Sequence, residues 1–185
     1  AAQTITDETV WGNAREPIAQ AFDIDGRTVT VVANHFKSKS GTGTEPADGQ
    51  GFFNADRVKQ AQSLLAFTDK LKQDSGSGDM LLIGDFNAYG QEDPIDVFTS
   101  QGWLDTVPSK AAGQYTYSFD GELGSLDHVI ASPSLAASVT GAGVWNINSP
   151  EWSDRGYAYA ATDAGTPFRS SDHDPILVGV SATVP

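Results

Sequence analysis

One long amphipathic helix between short apolar strands is the feature that most constrains the fold of this chain. Apolar residues recur every three or four positions from Val58 to Leu71, which predicts a helix. Asn54 can cap its start, and Gly76 or Gly78 can end it. The segment Met80–Ile83, which follows, is apolar and strand-sized. A helix face and strands that must be buried together predict a layered α/β (α+β) domain.

The other elements are predicted from alternation and turn residues. Residues 18–24 alternate in polarity, Asp25-Gly26 is a hairpin turn signal, and residues 28–36 are rich in β-branched side chains, which together predict strand, turn and strand. The remaining predictions are an irregular segment over 1–14, loops over 38–51 and 146–170, strands over 115–119, 126–131 and 176–183, and a short helix from Asp93-Pro94 to near Gly102. We find no linker, so residues 15–185 are predicted to form one domain.

The charge balance limits how the chain can bind its partners. It has 24 acidic residues against 11 lysines and arginines, a formal net charge of −13. This excludes a general basic surface for nucleic acid, because phosphate contacts need lysine and arginine. A divalent cation can still supply the positive charge that a phosphate substrate requires. The absence of cysteine excludes disulfides and zinc–thiolate sites, and the longest apolar run is too short for a membrane helix.

Residues suited to metal or phosphate chemistry are concentrated in four short segments, each at an end of a predicted strand. All three histidines of the chain lie in these segments. If the strands are neighbours, their ends meet at one edge of a sheet, where sites in α/β proteins usually form. The segments are NHFKSK at 34–39, GDFNA at 84–88, SLDHV at 125–129 and SDHDP at 171–175.

Two of these segments offer oxygen ligands. Asp85 and Asn87 leave a buried strand two residues apart, so their side chains point to the same side. A carboxylate beside an amide oxygen suits a hard cation or a water to be deprotonated, although Asp and Asn also form ordinary turns. Asp172 can likewise hold a metal, and His173 can donate to a phosphate oxygen or simply pack against Pro175.

The other two segments suit acid and phosphate chemistry. Asp127 can orient a histidine of another segment and raise its pKa, but spacing does not say which histidine. His128 itself is predicted to be structural. His35 beside Lys37 suits a general acid next to a phosphoryl group, unless both only solvate a strand end. The basic residues in or near the motif-bearing segments are Arg15, Lys37, Lys39, Arg57 and Arg169.

Six motifs, in this order, resemble the endonuclease/exonuclease/phosphatase superfamily, which includes the DNase I-like nucleases. They are REP at 15–17, NHFKSK at 34–39, GDFNAY at 84–89, EDPI at 92–95, GELGSLDHV at 121–129 and RSSDHDPI at 169–176. Within the superfamily the chain looks most similar to secreted bacterial nucleases of the ExeM and NucH type. The resemblance runs from about residue 12 to the end of the chain, and it implies an extracellular location.

The resemblance implies a fold, a reaction and a set of catalytic residues. The fold is a DNase I-like α/β/β/α sandwich, and the reaction is metal-assisted hydrolysis of a phosphodiester. His35 is then an acid beside the scissile phosphate. Asp85 directs or activates water, with Asn87 as its polar partner. Asp127 polarises a catalytic histidine, His173.

The resemblance also implies a cofactor and further partners. Asp172, Asp85 and Asn87 are expected to bind Mg²⁺, or Ca²⁺ or Mn²⁺, while Arg15 and Lys37 contact the substrate phosphate. The family's first strand and the helix bearing its metal-binding Glu have no counterpart here. We therefore expect the chain to be the C-terminal half of the domain, one mixed sheet with its covering helices, and the missing half to lie in cis or in a separate chain.

The expected function is hydrolysis of DNA or RNA by an extracellular endonuclease, with no membrane partner. Two alternatives stay open. The first is a phosphatase or a sphingomyelinase-like phosphodiesterase of the same superfamily. The second is a non-catalytic module for binding or scaffolding.

Overall fold

The computed structural model describes residues 1–152 and 167–183, and a mixed six-stranded sheet forms the centre of the fold. In order across the sheet, the strands are β1 (Gln3–Thr4), β2 (Arg15–Ile24), β3 (Arg27–His35), β4 (Met80–Asp85), β8 (Asp127–Ala131) and β5 (Leu104–Asp105). β3 and β4 run parallel, and all other neighbours are antiparallel. A parallel pair needs a crossover, which helix α2 (Asn54–Ser75) supplies.

Smaller elements complete the fold. Two antiparallel pairs are β6 (Tyr117–Phe119) with β7 (Glu122–Gly124), and β9 (Val139–Val144) with β10 (Ile176–Val180). The short helices are α1 (Glu8–Trp11), α3 (Asp93–Thr99), α4 (Thr106–Lys110) and α5 (Pro133–Ala136). The predicted fold class, a mixed sheet with covering helices, is confirmed. None of the described helices combines the length and apolar character that crossing a bilayer requires.

The main core lies between α2 and the six-stranded sheet. Leu64 of α2 shares one hydrophobic cluster with Val32 and Leu82 of the central strands, and none of the three is exposed. Phe36 and Phe86 belong to the same cluster, with ring centroids 4.8 Å apart. These two rings follow directly after β3 and β4. The core therefore anchors the two strand ends from which the predicted site residues project.

Helix α2 ends as predicted but begins differently. Gly76 adopts a left-handed conformation and donates its N–H to the carbonyl of Lys72, which closes the helix. Asn54 does not cap the start, because it is already the first helical residue and its amide donates to Asp93 at 3.0 Å. The capping position is occupied by Phe53, with φ 61° and no side-chain hydrogen bond.

The prediction of an irregular segment over residues 1–14 was wrong. β1 pairs with β2, and α1 brings Trp11 into the core. The Trp11 ring contacts Phe36 edge-on at 5.5 Å, and its indole N–H donates to Ser63 at 3.1 Å. This tertiary contact orders a segment whose own sequence is polar. Of the predicted loop over 146–170, residues 153–166 lie outside the described residues.

One face of β2 presents apolar side chains to solvent. Ala19 is buried opposite Val32, so by alternation the even-numbered residues of β2 lie on the other face. On that face Ile18, Phe22 and Ile24 are 57%, 49% and 43% exposed. These three large apolar side chains, with Gln20 between Ile18 and Phe22, form an exposed apolar patch on one face of the strand.

Candidate active site

Four neighbouring strands each bring one predicted site residue to the same level of the sheet. The register pairs Arg15 with His35, His35 with Asp85, and Asp85 with Asp127. At the usual strand spacing this row of side chains spans roughly 14 Å. A slip of one residue in any strand would turn its member of the row to the opposite face of the sheet.

Two local backbone features determine which residues of the four strands are aligned in this row. A bulge in β2 lets three steps along that strand match two along β3, so that Arg15 rather than Glu16 lies opposite His35. At the end of β4, Gly84 has a φ of +122°, which L side chains rarely adopt. A Cβ there would also collide with the backbone of Asn34 on the neighbouring strand. The glycine therefore allows the close approach that aligns the next residue with the row.

Asp85 is held by Asn87. One carboxylate oxygen accepts the Asn87 backbone N–H at 2.7 Å, and the other accepts its side-chain amide at 3.1 Å. The same amide donates to the Phe36 carbonyl at 3.1 Å. Burial raises the pKa of Asp85, and the nearby Asp127 carboxylate raises it further, against the lowering effect of the Asn87 hydrogen bond.

Asp127 and His173 form a second unit. His173 Nδ1 lies 2.7 Å from an Asp127 carboxylate oxygen, which also accepts the Thr116 hydroxyl at 2.7 Å. Burial lowers the pKa of His173, but the hydrogen bond and charge of Asp127 outweigh it, and the net pKa is raised. With Nδ1 directed at Asp127, Nε2 is the ring atom left for contact with a substrate.

His35 lies between the two ends of the row. Its Nε2 is 3.2 Å from Arg15 Nη1 and 3.6 Å from an Asp85 carboxylate oxygen. The first distance is that of a hydrogen bond and the second is too long for one. The imidazole therefore lies where a ligand that enters between the guanidinium and the carboxylate would contact it.

The residues present fit a divalent cation. Asp85, Asp127 and His173 each offer one ligand atom, and these atoms lie within 4.8 Å of one another. Two carboxylates and one imidazole suit Mg²⁺, Mn²⁺ or Ca²⁺ better than a soft metal. A cation would also remove the repulsion that helps to raise the pKa of Asp85. Asp172, a predicted ligand, is not a member of this group, although its charge contributes to the raised pKa of the adjacent His173, behind burial and the Asp127 contact.

Two of the basic residues named from the sequence, Arg57 and Lys39, make structural contacts away from the row. Arg57 is fully buried and donates to the carbonyls of Phe52 and Gln50 at 2.6 and 2.8 Å. Lys39 Nζ pairs with Glu92 at 2.6 Å. Burial of Arg57 and Lys39 lowers the pKa of each. Lys37, predicted to contact phosphate, has its Nζ 4.3 Å from the centre of the Phe53 ring.

An aromatic hairpin, β6–β7, borders the row; its first strand was predicted from the sequence, but its place beside the site was not. The Tyr117 ring centroid lies 4.6 Å from that of His173. Phe119 stacks on Tyr117 with an interplanar angle of 12°, and it is 64% exposed. Tyr89 packs against Gly124, where a Cβ would come within 2.5 Å of the tyrosine ring. The signal in the sequence was the pair of aromatic residues two positions apart on one strand, which must share a face.

A family model described as Endonuclease/Exonuclease/phosphatase family matches residues 4–173. The chain belongs to this family. Its members include nucleases, phosphatases and phosphodiesterases, and they are generally metal-dependent hydrolases. The resemblance predicted at superfamily level is thus confirmed, and the mixed sheet with its helices is consistent with the DNase I-like fold of the family. No curated protein sequence matches the chain.

Solved structures of the family share the fold at low identity. The mannosyl-6-phosphatase Bt3783 of Bacteroides thetaiotaomicron is 21% identical over 92% of this chain and 59% of its own, with a TM-score of 0.62. Truncated TDP2 of Caenorhabditis elegans is 13% identical over 98% and 65%, with a TM-score of 0.61. The 3′ phosphatase NExo of Neisseria, bound to a product DNA hairpin, is 17% identical over 97% and 70%, with a TM-score of 0.56. The chain spans about half the length of the first family structures it matches.

Proposed function

We propose that this chain carries the catalytic residues of an extracellular, metal-dependent endonuclease that hydrolyses phosphodiesters of DNA or RNA. The observation that supports this best is the row of Arg15, His35, Asp85 and Asp127 across four strands, with His173 bound to its last member. The row and His173 together combine a carboxylate of raised pKa, two imidazoles and a guanidinium. These are the groups that hydrolysis of a phosphodiester needs.

In the proposed reaction Asp85 orients a water and takes its proton as the water oxygen attacks phosphorus in line. His173, oriented by Asp127, donates from Nε2 to a non-bridging phosphate oxygen. His35 donates a proton to the leaving oxygen as its bond to phosphorus breaks, and Arg15 contacts the phosphate. A bound Mg²⁺, or Ca²⁺ or Mn²⁺, would neutralise phosphate charge and lower the pKa of water. We expect Asp172 and Asn87 to complete the ligand set that Asp85 begins.

A nucleic acid substrate is favoured by the aromatic hairpin. Tyr117 and Phe119 present stacked rings beside His173, and the outer ring is largely exposed. Aromatic rings next to a phosphate-binding site suit stacking with bases, which is tolerant of sequence. The Neisseria 3′ phosphatase, which shares the fold, was solved with a product DNA hairpin bound. This agrees with a nucleic acid substrate. The extracellular location and the closer likeness to ExeM- and NucH-type nucleases are supported by the sequence motifs.

A plasmid-nicking assay tests the proposal. Wild-type chain with Mg²⁺, Mn²⁺ or Ca²⁺ should convert supercoiled plasmid to the open circle, and EDTA should stop it. Asp85→Asn should lose at least 100-fold in rate, whereas Asp96→Asn, an exposed residue of α3, should match wild type. Release of phosphate from sugar phosphates without nicking would favour the phosphatase alternative, and hydrolysis of sphingomyelin would favour the lipid one. Wild-type nicking by Asp85→Asn would contradict the assignment.

We further propose that additional polypeptide, in cis or as a separate chain, covers the apolar patch of Ile18, Phe22 and Ile24. Its support is the exposure of these three side chains on one face of β2. Adding the polypeptide encoded upstream should raise the nicking rate and protect β2 amides from hydrogen exchange. The variant Phe22→Asp should weaken both effects, and unchanged rate and exchange in wild type would refute the idea.

A further inference from the structure

His128 is buried beneath the turn that follows β4. It lies on β8, one residue after Asp127, and is only 2% exposed. Its Nδ1 is 2.7 Å from a carboxylate oxygen of Asp105, and its Nε2 is 2.9 Å from the carbonyl oxygen of Ala88. Both partners can only accept, so both ring nitrogens donate. Burial lowers the pKa of His128, but the hydrogen bond and charge of Asp105 outweigh it and the net pKa is raised.

The His128 ring contacts this turn on both sides of Asn87. The ring of Phe86, just before Asn87, meets it edge-on with centroids 5.7 Å apart and an angle of 87°. Ala88, just after Asn87, is fully buried and receives the Nε2 hydrogen bond. Asn87 itself has a φ of +47°, a left-handed conformation that asparagine adopts in turns more readily than most residues.

We propose that His128 is a positioning residue that fixes Asn87, and through it Asp85, in the geometry the reaction needs; this role rests on the proposed function of those two residues. Without the Nε2 donor, the buried Ala88 carbonyl would have no partner, and the peptide would rotate to find one. That rotation loosens the turn that also carries Asn87. The N–H and amide groups of Asn87 then move away from the Asp85 carboxylate that they orient.

Two variants in one background separate positioning from general stability. Asp105→Asn removes the buried carboxylate, so that no unpaired charge is left when His128 is replaced. In that background His128→Gln puts an amide N–H near the position of Nε2, within reach of Ala88. His128→Asn puts it near the position of Nδ1, which satisfies residue 105 but leaves the Ala88 carbonyl without a donor. Both variants lose the imidazole, so they differ chiefly in the contact under test.

Amide hydrogen exchange of Asn87 and plasmid-nicking kinetics are the two measurements. His128→Asn should exchange at least tenfold faster at Asn87 than the background and lose at least tenfold in kcat with unchanged KM. His128→Gln should stay within threefold of the background in both. Equal effects of the two variants, or failure of both to fold while Asp105→Asn folds, would overturn the proposal. If the wild-type chain does not hydrolyse the plasmid, the proposed function fails, but the exchange data still decide the positioning role.

Discussion

The substitution Asp127→Asn tests whether the charge of Asp127, rather than its shape, prepares His173 for the reaction. Asp127 uses one oxygen to accept both His173 Nδ1 and the Thr116 hydroxyl, each at 2.7 Å. An asparagine oxygen can take the same place and accept the same two donors. The variant should therefore keep its fold and the orientation of the ring while it loses one negative charge.

The magnitude follows from the kind of hydrogen bond that is changed. A hydrogen bond to a charged group contributes about 1.5–3 kcal/mol net, and a neutral one about 0.5–1.5 kcal/mol. The difference of about 1–1.5 kcal/mol corresponds to about a 5- to 13-fold loss in kcat. The pKa of His173 should fall, because the hydrogen bond and charge of Asp127 are what hold it above its ordinary value against burial.

Two assays check this prediction together. Titration of the His173 ring by NMR reports its pKa, and cleavage of a short oligonucleotide reports kcat. Thr116→Val is the matched control, since it removes the other hydrogen bond to the same oxygen but leaves the charge. It should lower kcat less than Asp127→Asn does. An unchanged pKa of His173 in Asp127→Asn, with kcat within twofold of wild type, would refute the reasoning.

Four other perturbations test separate parts of the structure. Arg27→Met should lower the free energy of unfolding in urea by about 3 kcal/mol, because it leaves the largely buried Asp79 carboxylate unpaired; a loss below 1 kcal/mol would contradict this. Gly84→Ala should cost about 2 kcal/mol or more by the same measurement, since alanine disfavours its positive φ; full stability would be contrary evidence. In EDTA, stability should fall as pH rises above about 6.5, because His173 and His128, each with a raised pKa, bind protons in the folded state that the unfolded state releases. His173→Gln should make that slope less steep by removing one of its two sources, and an unchanged slope would exclude His173 as a contributor. Phe119→Ala should raise KM for DNA about tenfold and leave hydrolysis of a small phosphodiester unaffected; equal effects on both substrates would argue against base stacking.

The elements that carry the site were predictable because their signals are local. The apolar segment before Gly84 and the turn at Asp25-Gly26 each depend on a few neighbouring residues, and the structure has both. The alignment of Arg15 with His35 was not predictable. It depends on a bulge in β2, whose extra residue is settled by pairing with the neighbouring strand rather than by its own sequence.

Other features escaped prediction because their partners are distant in the chain. Val139–Val144 pairs with β10, but its two glycines hide the alternation typical of a strand. Arg57 and Gln60 lie on the buried face of α2, where their hydrogen bonds to loop and backbone groups offset the loss of water. The partner of His128 in the core, Asp105, lies on a separate strand. Which polar residues are buried depends on tertiary contacts, and the spacing of apolar residues in the sequence does not predict these contacts.

The proposed chemistry depends on a cation that binds at Asp85, with Asp127 and His173 close beside it. The most direct measurement is a titration of the full chain with Mn²⁺, followed by paramagnetic broadening in its NMR spectrum. We predict that signals of residues 84–87, 127 and 171–173 broaden first and together, and that Asp85→Asn weakens the effect at all three positions. Broadening that scatters over the acidic surface, or that is unchanged in Asp85→Asn, would contradict the existence of a cation site at Asp85.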